Sequence, residues 1–577
     1  MLEWLRKYPF AGMLVTIVAG ILLSYNDLLP VYPTLLVCAA GFAVLLAAGL
    51  FLPRFREPFW GSAALVFFFA FSVWNTVRSV QKSEWDGCSP VPEIHSVQVL
   101  QTPVERAKSY KMPVLLSEGR KAILYVQKDS ALVLPAAGDR LLVRTAITRP
   151  IPPDEFSFDY GQYLELNGFV GSGVVASGGM LLVRHDKLRG IMPFMQQFRE
   201  RIEQRFDGFA MRERSVLESL LLGDRRHLSA DTRDAFAASG AMHILAVSGL
   251  HVAIIAGLLV WLVSFGSRRK PNYEQRNRRY LQAGAVCTAL VFYAFLTGLS
   301  PSVSRSVLMF ILLSIGSLIR SKRSRYNDIA ASAFLILLVN PLALFHSGFL
   351  LSYSAVIAIV RFYPSLVLYT KHRFLRRLWD LIAVSLCAQL GTLPWTIWFF
   401  HRVSNYFVLT NLGVLPLVEY LLISTFFVFL LLAPLPYVGP LVGKILERET
   451  WALNEYVEWI QSLPGSSSEV YLNAWLTALL VALVFCFMLK TRYRWWPAAA
   501  LTIAFVAGLY TDYKNAGREE DLRTYQRGKN VVILAREGRS AMLIGNDSIY
   551  AFDATHDYRL AKHIEPDATV YYRLREE

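Results

Sequence analysis

Apolar positions along this chain fall into long runs, and most are long enough to cross a hydrocarbon core of about 30 Å. Runs near 10–28, 31–52, 59–80, 237–265, 281–299, 302–319, 327–345, 347–363, 379–399, 405–433, 472–489 and 496–512 are each bounded by charge, Pro or Gly, and each predicts a membrane-spanning helix. The first run is followed at once by others and lacks a small-residue cleavage site, so it reads as a retained helix and not a removed signal peptide. Around 405–470 the pattern changes. There "NLGVLPLVEYLL" and "FFVFLLLAPLP" predict a re-entrant or broken segment, and "LVGKILERETWALNEYVEWIQSLPG" predicts an amphipathic helix on the membrane surface.

Two stretches carry a different period. In 85–185, segments such as "SVQVLQ", "KAILYVQ" and "DRLLVRTAIT" alternate or run β-branched between Gly, Pro and Asp turns, which predicts a small all-β domain, with a five-strand barrel as its expected form. In 515–577, "NVVILA", "SAMLIG" and "TVYYRL" predict strands of a short β-rich module. Between the β domain and the next apolar run, 186–235 has helical spacing and polar composition, and "LSADTRDAF" offers a Ser cap to a helix feeding the run that follows.

Composition agrees with this division. The chain has 577 residues, of which 54% are hydrophobic, and its mean hydropathy is +0.37. Its net charge of +15 comes from 59 Lys plus Arg against 44 Asp plus Glu. The basic clusters (Arg6 and Lys7, Arg54 and Arg56, 267–279, 320–325, 371–377 and 490–494) fall where the cytoplasmic ends of most spans are expected, so much of the charge is a topology signal and not by itself an argument for a nucleic-acid partner. The same assignment puts the β domain outside. Cys88 has no partner within that domain, and Cys38, Cys287, Cys387 and Cys486 sit in apolar spans, so neither a disulfide framework nor a zinc-ligand spacing is present.

Polar side chains inside the apolar runs are the candidate chemistry. In "GAMHILAVSGLHVAII", residues 240–255, His243 and His251 are eight positions apart, about 12 Å of rise and roughly 80° of rotation on a continuous helix. Such a pair lines one wall. It shares no metal unless the helix breaks, for which Gly249 gives an opportunity. Hydrogen bonding to neighbouring helices explains each group singly, whereas ionisable groups at membrane depth generally face a protein interior or a watery path. A second chemistry is nucleophilic: "AVSG" is similar to the GxSG serine of rhomboid-type intramembrane proteases, with His346 or His401 as the paired histidine. Ala246 replaces the first Gly of that motif.

The block "LLLGDRRHLSADTRDAFAASGAMHILAVSGLHVAI" resembles the central block of the ComEC family of competence proteins. "GLSPSVSRSVLMF" at 298–310, "NPLALFHSGFLLSYSAVIAI" at 340–359 and "QLGTLPWTIWFFHRVSNYFVLTNLGVLPLV" at 389–418 follow in the family's order, and "PDEFSFDYGQYLELNGFVGSGVV" at 153–175 looks like the end of its OB-like domain. The resemblance implies a polytopic α-helical membrane protein with an inserted extracytoplasmic OB-like β-barrel domain and a small β-rich C-terminal module. Its expected divisions are 1–84 N-terminal transmembrane helices, 85–185 OB-like domain, 186–235 amphipathic linker, 236–514 transmembrane channel domain and 515–577 C-terminal module.

The implied activity is translocation of single-stranded DNA across the bacterial cytoplasmic (inner) membrane during natural transformation, with no enzymatic step; an intramembrane serine hydrolase using Ser248 and a histidine is the alternative. A strand's phosphates need a route lined by dipoles and a few positive groups that does not hold them too tightly. The expected DNA path comprises His243, Ser248, Gly249, His251, Ser304, Arg305, Ser352, Gln389 and Asn411, with Arg305 as the phosphate contact because a guanidinium stays charged and its fork fits phosphate oxygens. No catalytic residue, metal or cofactor is expected. Longer members of the family carry a metallo-β-lactamase-like domain with an HxHxDH motif; nothing after 515 has that motif here, and "AFDATHDYRLAKH" lacks its spacing. Expected partners are single-stranded DNA, the lipid bilayer and other competence proteins: a DNA receptor, a cytoplasmic motor or DNA-binding protein, and a separate nuclease. The chain has no Walker motif, so the energy for pulling DNA is expected from a partner or the membrane gradient.

Overall fold

The computed structural model describes residues 8–83, 90–106, 108–129, 134–186, 191–264, 272–318, 325–368, 371–429, 435, 437–489, 492–527 and 529–574. Arg6, Lys7, Cys88, the stretches 265–271 and 319–324, most of 430–436, and 490–491 lie outside them, so the orientation argument and the broken segment rest there on sequence. The described chain is mostly helical. Five helices are long and apolar enough to cross a membrane: Val31–Phe51, Arg56–Lys82, Ser347–Leu366, Arg373–Phe400 and Phe407–Phe426. Shorter apolar helices cover Pro9–Tyr25, Gly249–Leu262, Tyr280–Leu296, Pro301–Ile315 and Ala474–Met488.

Contacts divide the chain into two compact units, one of 1–149, 162–353 and 406–463, the other of 150–161, 354–405 and 464–577. The first unit contains the inserted β domain. Its strands are β1 (Glu93–Val99), β2 (Val104–Glu105), β3 (Ser109–Leu116), β4 (Lys121–Gln127), β5 (Arg140–Thr145), β6 (Ile147–Thr148), β7 (Phe169–Val175) and β8 (Met180–Arg184). They form one sheet in the order β6-β7-β4-β3-β1-β5-β8, with β2 added to β3 and β4 parallel to β7. Only Ala146 separates β5 from β6, yet β5 pairs with β1 and β6 with β7. The bent β5–β6 segment therefore pairs with strands at both ends of the sheet, and β1, β3, β4, β5, β6 and β7 all contribute to the core. Alternate residues fill it, including Val97, Val99, Met112, Val114, Leu124, Leu141, Ile147 and Val175.

The larger core of this unit lies among helices from 202 to 307 and from 414 to 457. The expected span 237–265 is two helices, Met242–Leu245 and Gly249–Ser264, with a break at 246–248. The break frees a carbonyl at Leu245, which accepts from Ser219 Oγ at 2.6 Å and Arg225 Nε at 3.2 Å. Near the next apolar helices, Gly298 and Leu299 both adopt positive φ before Pro301 starts a new one. The amphipathic helix expected on the membrane surface is present as Val438–Ser462. Its apolar face, including Leu446, Leu453 and Val457, is instead packed against the helices Met211–Leu222, Ala230–Ala238 and Phe407–Ile423.

The second unit holds the Arg373–Phe400 helix, a two-stranded ribbon of β9 (Arg402–Ser404) and β10 (Ser467–Glu469), the helices Ala474–Met488 and Trp495–Ala516, and the C-terminal module. That module is a four-stranded sheet of β11 (Glu520–Arg527), β12 (Asn530–Glu537), β13 (Ser540–Gly545) and β14 (Thr569–Arg573), in sequential order with β13 and β14 parallel. Residues 150–161 are part of this unit. Asp154 accepts from Tyr525 Oη at 2.6 Å, and Glu155 is held by Arg523 through two bonds of 2.8 and 2.9 Å.

Candidate functional site

Within the first unit a cleft of about 860 Å³ opens between the β domain and the helices. Its walls are the β3–β4 hairpin at 118–121, residues 166–168 ahead of β7, Ser79 and Lys82 near the end of the Arg56–Ser83 helix, residues 299–305, and the turn and helix start at 340–349. His346 ties two walls together, since its Nε2 bonds to the Leu166 carbonyl at 3.2 Å.

Arg305 is the unusual group in this cleft. It is 5% exposed, its Nε has no hydrogen-bond partner, and among the described residues it makes no ion pair. A guanidinium held away from water without a carboxylate is unfavourable unless an anion or a polar path faces it. Gly348 leaves room beside it, for a β-carbon there would lie 3.4 Å from Arg305 Nη2. The starts of two helices, Pro301–Leu318 and Ser347–Leu366, also line the cleft, through Pro301, Ser304 and Phe349. Ser304 lines the cleft beside Arg305 and bonds through Oγ to the Leu299 carbonyl at 3.2 Å.

The remaining candidates are placed as follows. Ser248 stands immediately before the Gly249–Ser264 helix and its carbonyl accepts from Val252 N, so it is the N-cap. The Ser248 N–H donates to His251 Nδ1 at 3.2 Å, and Ser248 Oγ lies 2.9 Å from the same nitrogen. The histidine thus satisfies the N-cap N–H as the Glu or Gln of a capping box does. His251 is fully buried and its Nε2 has no partner. Gly249 lets this helix approach the one that carries Arg305, with Ser306 Oγ 3.2 Å from where its β-carbon would be. His243 is exposed on the short helix and bonds to the Gly240 carbonyl at 3.0 Å. Asn411 has a buried Oδ1 without a partner. Ser352 is half-buried outside the cleft lining, and Gln389 is half-buried in the second unit on the Arg373–Phe400 helix. Thus Ser304 and Arg305 share one cleft, and Ser248, Gly249 and His251 form the start of the neighbouring helix.

A group of charges in "LLLGDRRH" escaped the sequence reading. Glu218 is fully buried and accepts from Arg214 Nε and His227 Nδ1, each at 2.7 Å. Asp224 accepts from Arg226 Nε at 2.6 Å and Arg199 Nη2 at 3.0 Å. Burial pushes the Asp224 carboxyl up, but the Arg226 hydrogen bond and the two guanidinium charges prevail and hold it at about 2. Glu203 shares both arginines and is raised by burial. The sequence signal was the alternation of acids and arginines at helical spacing from Arg199 to Arg226. These groups fix the turn after Leu222, where Gly223 adopts φ 70°.

A mostly α-helical protein with five helices long and apolar enough to cross a membrane, and with a β domain whose hairpin lines a cleft, is the class these features define. The family model described as Competence protein matches residues 220–496, the stretch that contains Arg305 and the Ser248–His251 cap. The chain is 32% identical over 203 residues to ComE operon protein 3 of Bacillus subtilis (strain 168), covering 35% of this chain and 24% of that protein. It is 31% identical over 145 residues to competence protein ComA of Neisseria gonorrhoeae, covering 25% and 21%. A 28% identical stretch of 242 residues in uncharacterized protein YcaI of Escherichia coli (strain K12) covers 41% and 31%. The matches thus span less than a third of each of these relatives. No solved structure matches the chain. The likeness to the family model and to each of these relatives covers less than half of this chain.

Proposed function

We propose that this chain is a DNA-uptake component of natural transformation, providing the route by which single-stranded DNA crosses the bacterial cytoplasmic membrane. The observation that carries the reading is the unpaired, buried Arg305 in an open basic cleft, inside the stretch matched by the competence family model. Phosphates entering the cleft meet a fixed guanidinium, which offsets part of their lost hydration. Ser304, Gly249 and the polar groups Ser248 and His251 on the adjoining helix continue the polar lining, with His243, Ser352, Gln389 and Asn411 assigned to the same path.

The strand order β1-β3-β4-β7-β6/β5 with its parallel β4–β7 pair supports an OB-like reading of the β domain, which we place outside the membrane. Transport needs no covalent chemistry from these side chains. Other competence proteins supply the receptor, the pulling force and the strand-degrading nuclease. The hydrolase alternative gains nothing from the structure: the Ser248–His251 contact lies within one helical turn and serves as its cap, and His346 is engaged with Leu166.

The test is uptake of fluorescent DNA by cells deleted for this gene and complemented with wild type or Arg305→Ala. Deletion is expected to leave DNA outside the cytoplasm, wild type to restore entry, and Arg305→Ala, inserted normally, to restore little. Entry unaffected by deletion would overturn the reading.

A further inference from the structure

The cations around the cleft come from two directions. Arg305 belongs to the Pro301–Leu318 helix and Lys82 to the end of the Arg56–Ser83 helix, whereas Arg120 and Lys121 belong to the barrel hairpin. The two hairpin cations have different roles. Arg120 Nη1 donates to the Gln81 carbonyl at 2.7 Å and to the Lys82 carbonyl, acceptors that the helix end leaves open, and so holds the hairpin on the helix. Lys121 is exposed and, among the described residues, makes no ion pair.

The cleft is poor in stacking surface. Phe349 is the one hydrocarbon ring among its lining residues, and it is 5% exposed with its ring centroid 4.5 Å from that of Tyr353. Proteins that hold single strands by their bases present free aromatic faces; those that hold them by phosphates present cations and N–H groups. Among its lining residues this cleft presents three cations, Lys82, Lys121 and Arg305, that are not spent on holding the hairpin, against one carboxylate, Glu118.

We infer that the cleft is a base-blind phosphodiester clamp, with Arg305 as the fixed jaw on the helices and Lys121 as the jaw on the barrel hairpin, gripping a single DNA strand by its backbone. The inference rests on the transport reading. It adds that the β domain supplies part of the grip directly, and that recognition is independent of sequence.

The experiment uses the full chain in nonionic detergent and follows fluorescence anisotropy of oligothymidylate, oligodeoxycytidylate and a methylphosphonate oligothymidylate of equal length between about 50 and about 200 mM salt. Thymidylate and cytidylate are expected to bind within about threefold of each other, and the uncharged backbone at least about tenfold more weakly. Lys121→Gln and Arg305→Gln are each expected to weaken binding severalfold and lower the salt slope by about one, with Lys121→Arg restoring it. Because Lys121 is an exposed strand-end residue, its variant keeps the test sound if Arg305→Gln fails to fold. Wild-type affinity and slope in Lys121→Gln would overturn the barrel jaw. Equal binding of the uncharged strand would overturn phosphate recognition. Loss of co-purifying phospholipid in both variants, with DNA binding intact, would assign the cleft to a lipid headgroup and overturn the clamp. If deletion blocks uptake while neither substitution alters binding, the clamp falls and the transport reading stands; if deletion leaves uptake intact, the transport reading falls whatever the cleft binds.

Discussion

The Ser248 N–H donates to His251 Nδ1 at 3.2 Å, three residues on in the same helical turn, so two of the three polar side chains of residues 240–255 close the start of a helix. Because Nδ1 accepts, the imidazole proton sits on Nε2, the buried atom that has no partner. One nitrogen thus serves the fold and the other is left for the interior of the protein.

Ser248→Ala removes only the hydroxyl from this cap. It loses the Oγ–His251 Nδ1 contact and is expected to destabilise the protein by about 1 kcal/mol, as loss of one hydrogen bond does, while DNA uptake remains substantial. His251→Ala removes the backbone acceptor and the buried Nε2 together, and is expected to lower both stability and uptake. Thermal unfolding in detergent beside an uptake assay checks both. Complete loss of function in a stably folded Ser248→Ala protein would contradict the capping role.

Asp224 sets a pH dependence outside the membrane-spanning segments. Its folded value of about 2 lies below the ordinary 3.8, so its contribution is present above about pH 4 and is lost as pH falls towards 2. The difference between those values corresponds to about 2 kcal/mol. Glu203 is shifted in the opposite direction, so the quantity to follow is the stability difference between wild type and Asp224→Asn. That difference is expected to shrink between about 4 and 2, measured by unfolding midpoints in detergent.

Most apolar helices were legible because length and composition decide them locally. The β domain was legible for a related reason, since alternation in "KAILYVQ" and "DRLLVRTAIT" reflects one face turned inward. The break at 246–248 was only partly legible: Gly249 offered an opportunity for it, but Ala, Val and Ser carry no breaking signal as strong as Pro, and the freed Leu245 carbonyl is satisfied by Ser219 and Arg225, more than 15 residues away along the chain. Likewise, the period of Val438–Ser462 showed an apolar face but not that other helices cover it. Arg305 was visible as a charge in an apolar run, while its neighbours Lys82, Lys121 and His346 are gathered by tertiary structure alone.

Gly391 tests helix packing within the second unit. A β-carbon there would lie 2.5 Å from the Ser354 carbonyl oxygen and 2.7 Å from Ala358 Cβ. Backbone cannot yield as a flexible side chain can, so Gly391→Ala is expected to cost about 1 to 3 kcal/mol despite the better helix propensity of alanine. Gly257→Ala is the control, since nothing lies within 4 Å of its added carbon. A lower unfolding midpoint for Gly391→Ala, beside an unchanged or higher one for Gly257→Ala, is the expected result.

Gly348 tests the space around Arg305. Its missing side chain leaves the guanidinium face open, and the 3.4 Å separation from Nη2 admits a methyl group in ordinary contact but nothing larger without displacing the guanidinium. Gly348→Ala is therefore expected to keep most uptake, and Gly348→Leu to lose it nearly as far as Arg305→Ala. The effect of leucine should vanish in an Arg305→Ala background, because the group it displaces is already gone. A double-mutant cycle on DNA uptake measures this directly. Equal further loss on adding Gly348→Leu to either background would place the glycine's role elsewhere, in helix packing and not in the presentation of Arg305.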